Sequence, residues 1–152
     1  MENQFWYSIL PQIYYLGQML LAIVLGGVVG WQREVRGKAA GARTYALVTA
    51  GSALFTILST VAFPGDQARV AAQIVTGIGF LGAGAILHRE SRIVGLTTAA
   101  GLWIAAAIGM AVGLRYYFFA IIGTLMILGV LMINEKKIVH TDDDAKDEIE
   151  EE

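Results

Sequence analysis

The chain has 152 residues, 56% of them hydrophobic and 16% charged, with a mean hydropathy of +0.59 and a net charge of -2. This apolar content exceeds what the core of one soluble domain can bury, so the composition indicates a membrane protein. The small net charge and the scattered basic residues exclude nucleic-acid binding. Because the chain has no cysteine and only two histidines, we expect no disulfide, no bound metal and no cofactor.

The first residues, MENQFWYSILPQ, lack the positive segment and the small-residue cleavage site of a signal peptide. We therefore expect residues 1–12 to be an extracytoplasmic segment and the first span to act as the insertion signal. Trp6 and Tyr7 precede Pro11, and they either form a short amphipathic turn in the outer headgroup layer or are disordered.

Five apolar segments are long enough to cross a bilayer core of about 30 Å, which needs roughly 20 helical residues. They cover residues 13–31, 45–63, 70–87, 97–114 and 116–134. The last two are separated by a tight turn at Gly113-Leu114-Arg115, because one helix over both would be nearly twice too long to cross once. The sequence thus predicts an all-α, polytopic membrane domain over residues 13–134, followed by an acidic, disordered tail over residues 135–152.

The positions of Lys and Arg predict the orientation, because short cytoplasmic loops collect basic residues. Nine lie in the first loop, the third loop and the tail, whereas only Arg69 and Arg115 lie on the opposite side. The N-terminus is therefore predicted outside and the C-terminus in the cytoplasm. If the third segment were only a re-entrant loop, the basic residues would divide six against five and the asymmetry would vanish, so we favour five full spans.

The third span contains the pattern GxGxxG at Gly77, Gly79 and Gly82. A dinucleotide-binding turn with this pattern requires a preceding strand, a following helix and an acidic residue about 20 positions later, and the sequence shows none of these. Glycines instead allow helix backbones to approach closely, within or between subunits. With the GxxxG pairs of the first and fourth spans, the predicted helix-packing residues are Gly26, Gly30, Gly77, Gly79, Gly82, Gly84, Gly109 and Gly113.

One face of the third span carries polar residues at helical spacing. It consists of Arg69, Gln73, Thr76, Phe80 and Gly84. Polar groups are costly in hydrocarbon unless they face protein or water, so we expect this face to point into the helix bundle. Asp66 precedes Arg69 by three residues, and we expect either an ion pair at the outer interface, with Asp66 at the helix N-terminus, or a pair that contacts a partner or ligand.

The first cytoplasmic loop concentrates basic residues, and two interpretations of it stay open. Arg33, Arg36 and Arg43 either fix the topology and contact anionic lipids, or they form a docking surface in which one of them pairs with Glu34, Glu90 or an acidic partner.

The fourth span begins with Thr97 and Thr98, whose hydroxyls can bond back to the helix or across to a neighbour, and Trp103 follows in the same half. No Asp, Glu, Lys or Arg lies deep in a predicted span, so a cation pump or a proton-coupled carrier is disfavoured within one protomer. No nucleophile with its base can be recognised, so we expect no enzyme and no catalytic residue. The functional candidates are Arg33, Glu34, Arg36, Arg43, Asp66, Arg69, Gln73, Thr76, Thr97, Thr98 and Trp103.

Three strings of the sequence carry interrupted polar and small-residue motifs. They are LGGVVGWQREVRGKAAGARTYALVTAGSALF, ARVAAQIVTGIGFLGAGAIL and GLTTAAGLWIAAAIGMAVGL. They resemble the membrane domain of the MgtC/SapB family of bacterial inner-membrane proteins, and the resemblance covers roughly residues 16–133. It implies five spans with the tail inside, and it implies importance for Arg33, Glu34, Arg36, Gly37, Arg43, Thr44, Arg69, Gln73, Gly77, Gly79, Gly82, Gly84, Gly95, Thr97, Thr98 and Trp103.

The family is associated with growth at low magnesium and with survival inside host cells, through regulation of other membrane machines such as the rotary ATP synthase. Longer members carry a folded cytoplasmic domain where this chain has a short acidic tail after Lys137, so functions of that domain are not expected here. The resemblance implies a non-enzymatic regulator in the bacterial inner membrane. Its expected partners are the lipid bilayer, another inner-membrane protein and further copies of the chain. The alternative is an oligomeric channel or carrier for a small ion such as magnesium, because a pore lined by backbone carbonyls needs no intramembrane charge.

Overall fold

The computed structural model describes residues 2–89 and 92–133. Within these ranges the chain forms five helices and one short antiparallel hairpin. The helices are α1 (Glu2–Val35), α2 (Ala42–Ala62), α3 (Gln67–Gly84), α4 (Leu96–Gly113) and α5 (Tyr117–Met132). The hairpin joins α3 to α4 through β1 (Leu87–Arg89) and β2 (Arg92–Val94), and it pairs Leu87 with Val94. The prediction for the tail, residues 135–152, lies outside the described residues.

The prediction of an all-α membrane fold is confirmed, because each predicted span coincides with one helix. By length and composition, three helices are apolar and long enough to cross a membrane: the part of α1 from Ile9 to Val35, α2 and α4. Helix α5 is apolar but shorter, and α3, which contains Arg69 and Gln73, is not among the three. Five full crossings and the direction of insertion therefore stay predictions.

Helix α1 is longer than predicted at both ends. Its 34 residues span about 51 Å, well beyond the bilayer core. The backbone of residues 2–12 belongs to this helix and continues through Pro11, so the alternatives of a separate short turn or disorder are both wrong for the N-terminal segment. At the other end α1 continues past the predicted limit at Trp31 as far as Val35, and this extension carries Arg33 into the helix.

Helices α2 and α4 form the centre of the bundle. Helices α1 and α3 contact both of them, and α5 packs against α4 and α1. The buried residues between the helices are mostly small, so the backbones lie close together, and the core is divided between the two ends of the bundle. Tyr45 and Leu102 lie in one half of the core, and Ile108 and Val112 in the other.

The turn between α4 and α5 lies where the sequence predicts it. The residue with positive φ is Arg115, at 67°, and not Gly113. The Arg115 guanidinium lies over the ring of Tyr14, 5.1 Å from its centroid, so a contact with α1 accompanies the strained backbone. We name this the Arg115 end of the bundle. The opposite end, where α1 ends and α2 and α4 begin, is the Arg33 end.

Candidate functional site

Arg33 is buried at the junction of three helices, with 2% of its surface exposed. Its Nη2 lies 3.5 Å from Thr98 Oγ1 on α4, and its guanidinium faces the hydroxyl of Tyr45 on α2. The Tyr45 hydroxyl in turn lies 3.5 Å from the carbonyl oxygen of Thr98, and both Tyr45 and Thr98 are buried. The prediction that Arg33 lies in the first loop is wrong, because α1 extends past Trp31 to Val35 and this side chain is buried.

The neighbouring charged residues of the first loop lie apart from this junction. Glu34 Oε2 accepts a hydrogen bond of 3.0 Å from the backbone N–H of Ala42, so its carboxylate holds the loop against the start of α2. Arg36 and Arg43 are exposed. In the part of the chain that the structure describes, no carboxylate pairs with Arg33, whose Nε has no hydrogen-bond partner.

The glycine pairs of α1 and α4 both face α2. A Cβ at Gly26 would lie 2.6 Å from the carbonyl oxygen of Tyr45, and one at Gly30 would lie 2.6 Å from Ala42 Cα. On the other side of α2, a Cβ at Gly109 would overlap the carbonyl oxygen of Thr49, and one at Gly113 would lie 2.7 Å from the Thr56 side chain. These four positions therefore allow α1 and α4 to approach α2 more closely than any side chain permits.

Thr49 links α1 and α2 at this close approach. Its hydroxyl donates a hydrogen bond to the carbonyl oxygen of Ala22 at 2.7 Å, and the carbonyls of Tyr45 and Ala46 lie at 3.0 Å. Neither Thr49 nor Tyr45 is among the functional candidates predicted from the sequence. The sequence signal that pointed to this contact was Gly26, which faces Thr49, since a glycine within a membrane helix indicates that a neighbouring helix lies close.

Polar side chains also meet at the Arg115 end. The Gln18 side chain is buried, and its Nε2 donates to the carbonyl of Val112 at 2.9 Å and to the hydroxyl of Tyr117 at 3.0 Å. The hydroxyls of Tyr14 and Tyr117 also share a hydrogen bond. The sequence-based prediction considered the polar residues of the third and fourth spans but not Gln18 of the first span, although a glutamine within a span is itself a signal of helix contact.

Helix α3 lies at the edge of the bundle, and its polar face points outward. The only side chain of α3 that is buried is Ile78, and Gly82 on the same face contacts Ala99 of α4. The residues predicted to face the bundle interior are instead exposed: Arg69, Gln73, Thr76, Phe80 and Gly84. The predicted direction is wrong, because the apolar contact of Ile78 with the core decides how the helix is rotated.

Three glycines of α3 pack against no other helix in the part of the chain that the structure describes. A Cβ at Gly77, Gly79 or Gly84 would meet no atom within 4 Å. The described residues therefore provide no packing partner for these glycines within the chain, and packing between subunits or against another protein stays a prediction. Gly77 faces Gly51 of α2 across an apolar groove of about 580 Å³, which is also lined by Gln73 and Ser52.

The predicted pair of Asp66 and Arg69 forms. Arg69 Nε and Nη2 both lie 2.7 Å from Asp66 Oδ2, and both side chains are exposed. Asp66 occupies the position before α3, but its side chain makes no capping hydrogen bond. The carboxylate thus contacts Arg69 and does not cap the first backbone N–H groups of the helix.

We expect Asp66→Asn to change the free energy of unfolding by less than about 1 kcal/mol, because exposed ion pairs contribute little after desolvation and side-chain entropy. Thermal unfolding of the purified protein in one detergent, at low and high salt, measures this. A loss well above that value would show that the pair holds α3 in place, and Arg69→Gln should then reproduce the loss.

The predicted functional residues of α4 differ in their exposure to solvent. Thr98 contacts Arg33, whereas Thr97 is exposed on the same turn, and Trp103 is half exposed beside a second groove, of about 500 Å³, between α3 and α4. Thr97 and Trp103 thus lie away from the Arg33 junction. The structure brings together Arg33 and Thr98 from the predicted set and adds Tyr45.

The family model described as the MgtC family matches residues 19–139 of this chain. The chain belongs to the MgtC family. It is 46% identical over 128 residues to YhiD of Escherichia coli K12, which is named as a candidate magnesium transporter, and the match covers 78% of this chain and 60% of YhiD. It is 45% identical over 114 residues to the protein MgtC of Salmonella typhimurium LT2, covering 75% of this chain and 49% of that protein.

A protein of Haemophilus influenzae Rd is also 45% identical, over 122 residues, with 73% of this chain and 51% of that protein covered. The chain thus spans about half to three fifths of the length of these relatives. No solved structure matches it. In this MgtC-family chain, the matched range contains the Arg33 junction, all of α3 and the glycine pairs that face α2.

Proposed function

We propose that this chain is a non-enzymatic membrane protein that regulates another membrane protein, in a bacterial cytoplasmic membrane and in connection with magnesium homeostasis. The connection with magnesium is supported by the name of its relative YhiD and by its membership of the MgtC family. The observation that carries the regulatory role is the outward polar face of α3, and Gln73 is its central residue.

Gln73 lies about 9 Å along α3 from its first residue, within the predicted span. Its side chain is exposed and has no hydrogen-bond partner among the residues that the structure describes. An amide in hydrocarbon is unfavourable unless it bonds to protein or water. A neighbouring membrane protein that packs against α3 would supply that partner and would also cover the glycines that no helix of this chain contacts.

Charge also favours regulation over cation transport through one protomer. Among the described residues, Arg33 is the charged residue whose side chain is buried. No carboxylate among these residues pairs with it. A divalent cation is repelled by such a group, whereas cation pathways usually contain acidic side chains. A cation path between α1, α2 and α4 is therefore disfavoured.

Crosslinking from α3 tests the proposal. The chain has no cysteine, so Gly77→Cys places a single thiol in the open groove without a clash, and Met126→Cys on the exposed face of α5 is the matched control. In native membranes at low expression, we expect the α3 thiol to capture a different membrane protein and the α5 thiol to capture it far less. Capture of nothing, or equal capture from both positions, would contradict the proposal.

The amide itself can be tested in the same assay. We expect Gln73→Leu to reduce capture by roughly 3- to 30-fold, the range given by one hydrogen bond between membrane helices. Its stability in detergent should be unchanged, because Gln73 makes no contact that holds the fold. An unchanged capture yield would show that the partner does not bind this amide.

The second candidate is an oligomeric channel or carrier for a small ion such as magnesium. The same outward position of Gln73 and Thr76 favours it, because copies arranged around an axis would bring these groups together along a path. It predicts adducts between two copies of the chain from Gly77→Cys. It also predicts magnesium flux into liposomes that contain only this protein, and an absence of flux would exclude it.

A further inference from the structure

The Arg33 guanidinium is buried in the interior of the bundle, and no carboxylate among the described residues compensates its charge. Its described contacts are a hydroxyl of Thr98 at 3.5 Å and the hydroxyl of Tyr45, and its Nε has no partner. The nearest carboxylate in sequence, on Glu34, accepts instead from the backbone N–H of Ala42. A buried arginine normally forms charge-assisted hydrogen bonds to an anion, and none is present among the described residues.

Thr98, which Arg33 contacts, lies in the first turn of α4. This helix of 18 residues begins at Leu96 after Gly95, and no side chain caps it. The N–H groups of Leu96, Thr97 and Thr98 therefore lack acceptors within the helix, and the aligned peptide dipoles place a partial positive charge there. Gly95 has a φ of +98° and lies against the carbonyl of Ala85, so its backbone closely constrains where α4 begins.

Two positive features thus lie side by side, and none of the described residues places a carboxylate between them. The guanidinium and the helix N-terminus repel each other, and burial strengthens that repulsion because water is excluded. A bound oxyanion would reverse the sign of the interaction, since both features are the standard donors for phosphate and carboxylate groups. Thr97 and Leu96 are exposed, so the first turn of α4 lies at the surface of the bundle although Thr98 itself is buried.

We propose that Arg33 and the first turn of α4 form a binding site for a phosphate group. The Arg33 guanidinium supplies charged donors, and the backbone N–H groups of Thr97 and Thr98 supply neutral ones. The phosphate belongs either to the headgroup of an anionic phospholipid or to free inorganic phosphate. The site uses no residue of α3, so it is independent of the partner surface proposed above.

Titration of the purified protein separates the two sources. In neutral detergent without added lipid, inorganic phosphate is added at constant ionic strength, and the midpoint of thermal unfolding is followed with chloride as the control salt. In nanodiscs, the same midpoint is compared between phosphatidylcholine alone and mixtures with phosphatidylglycerol. A saturable rise in the first arm identifies free phosphate, and a rise only in the second identifies a lipid headgroup.

Variants test whether the phosphate response arises at this site. Arg33→Gln should weaken the apparent affinity by about 10- to 100-fold, because a hydrogen-bonded charge is removed. Arg33→Lys should weaken it less, because the charge remains but the planar fork of donors is lost. The matched control is Arg43→Gln, which removes an exposed basic residue near the same end of the bundle and should leave the response unchanged.

Two results would overturn the proposal. One is a wild-type protein that shows no saturable response to phosphate or to phosphatidylglycerol beyond that to chloride or phosphatidylcholine, and this outcome needs no variant. The other is an equal loss of response in Arg43→Gln and Arg33→Gln, which would indicate general attraction to a basic surface. If Arg33→Gln fails to fold, the comparison of Arg33→Lys with Arg43→Gln decides between a specific site and general attraction.

Discussion

Gly109→Ala is expected to lower the free energy of unfolding by about 3 kcal/mol, at the upper end of the range for overpacked cores. The new Cβ would overlap the carbonyl oxygen of Thr49 and would lie 2.8 Å from Ser52 Cβ. Backbone atoms of α2 cannot rotate away as a flexible side chain can, so α4 must move as a whole. That movement disturbs the two central helices, on which the other three pack.

The matched control is Gly51→Ala, which lies on α2 and faces the open groove. A Cβ there would meet no atom within 4 Å, so the variant should be stabilised by up to about 1 kcal/mol through helix propensity alone. Thermal unfolding of both variants in the same detergent gives the comparison. If Gly109→Ala were as stable as Gly51→Ala, the close contact between α2 and α4 described here would be incorrect.

The existence and approximate limits of the five helices could be predicted because bilayer thickness fixes the length of an apolar segment. The predicted span 97–114 and α4 differ by one residue at each end, and 45–63 and α2 by at most three. The hairpin of β1 and β2 was not predicted, since its strands of three residues are too short to show a period. The length of α1 was underestimated because the length of an apolar segment shows how much of a helix lies in the bilayer, and not where the helix ends.

The surroundings of Arg33 could have been predicted in part. Gly26, Gly30 and Arg33 are separated by four and three residues, so they share a face once α1 continues to Val35. Because the span was predicted to end at Trp31, Arg33 was placed in a loop. The depth of an arginine near a helix end depends on what the adjacent helices offer, here Tyr45 and Thr98, and that is a tertiary property.

The direction of α3 could not be predicted from its polar residues. Polar groups within a membrane span face protein or water, but that protein can be the same chain or another one. In this fold Ile78 occupies the core between α2 and α4, and the polar face is left outside. A single sequence contains no information about a second chain, so the outward face of α3 becomes visible only when the bundle is known.

Gly101→Ala is expected to destabilise the Arg33 end by about 1 to 3 kcal/mol, but only while Tyr45 keeps its hydroxyl. The new Cβ would overlap the Tyr45 hydroxyl oxygen, while the next atom of the ring, Cζ, lies 3.2 Å away. Tyr45 is fully buried, so the ring cannot swing into solvent to avoid the contact. Tyr45→Phe alone should cost about 1 kcal/mol, because it removes the hydrogen-bonding group that faces Arg33 and Thr98.

In the double variant the two changes should not add. Without the hydroxyl, the Cβ of the alanine at position 101 would lie 3.2 Å from Cζ and 3.5 Å from Cε1 of the ring, and a shift of a few tenths of an ångström relieves the closer contact. We therefore expect the double variant to be more stable than the sum of the single changes by about 1 kcal/mol or more, within the range of coupling between residues in contact. Thermal or denaturant unfolding of the four proteins measures this coupling. Additivity within about 0.5 kcal/mol would mean that the hydroxyl does not lie against α4, and the partners assigned to Arg33 would have to be revised.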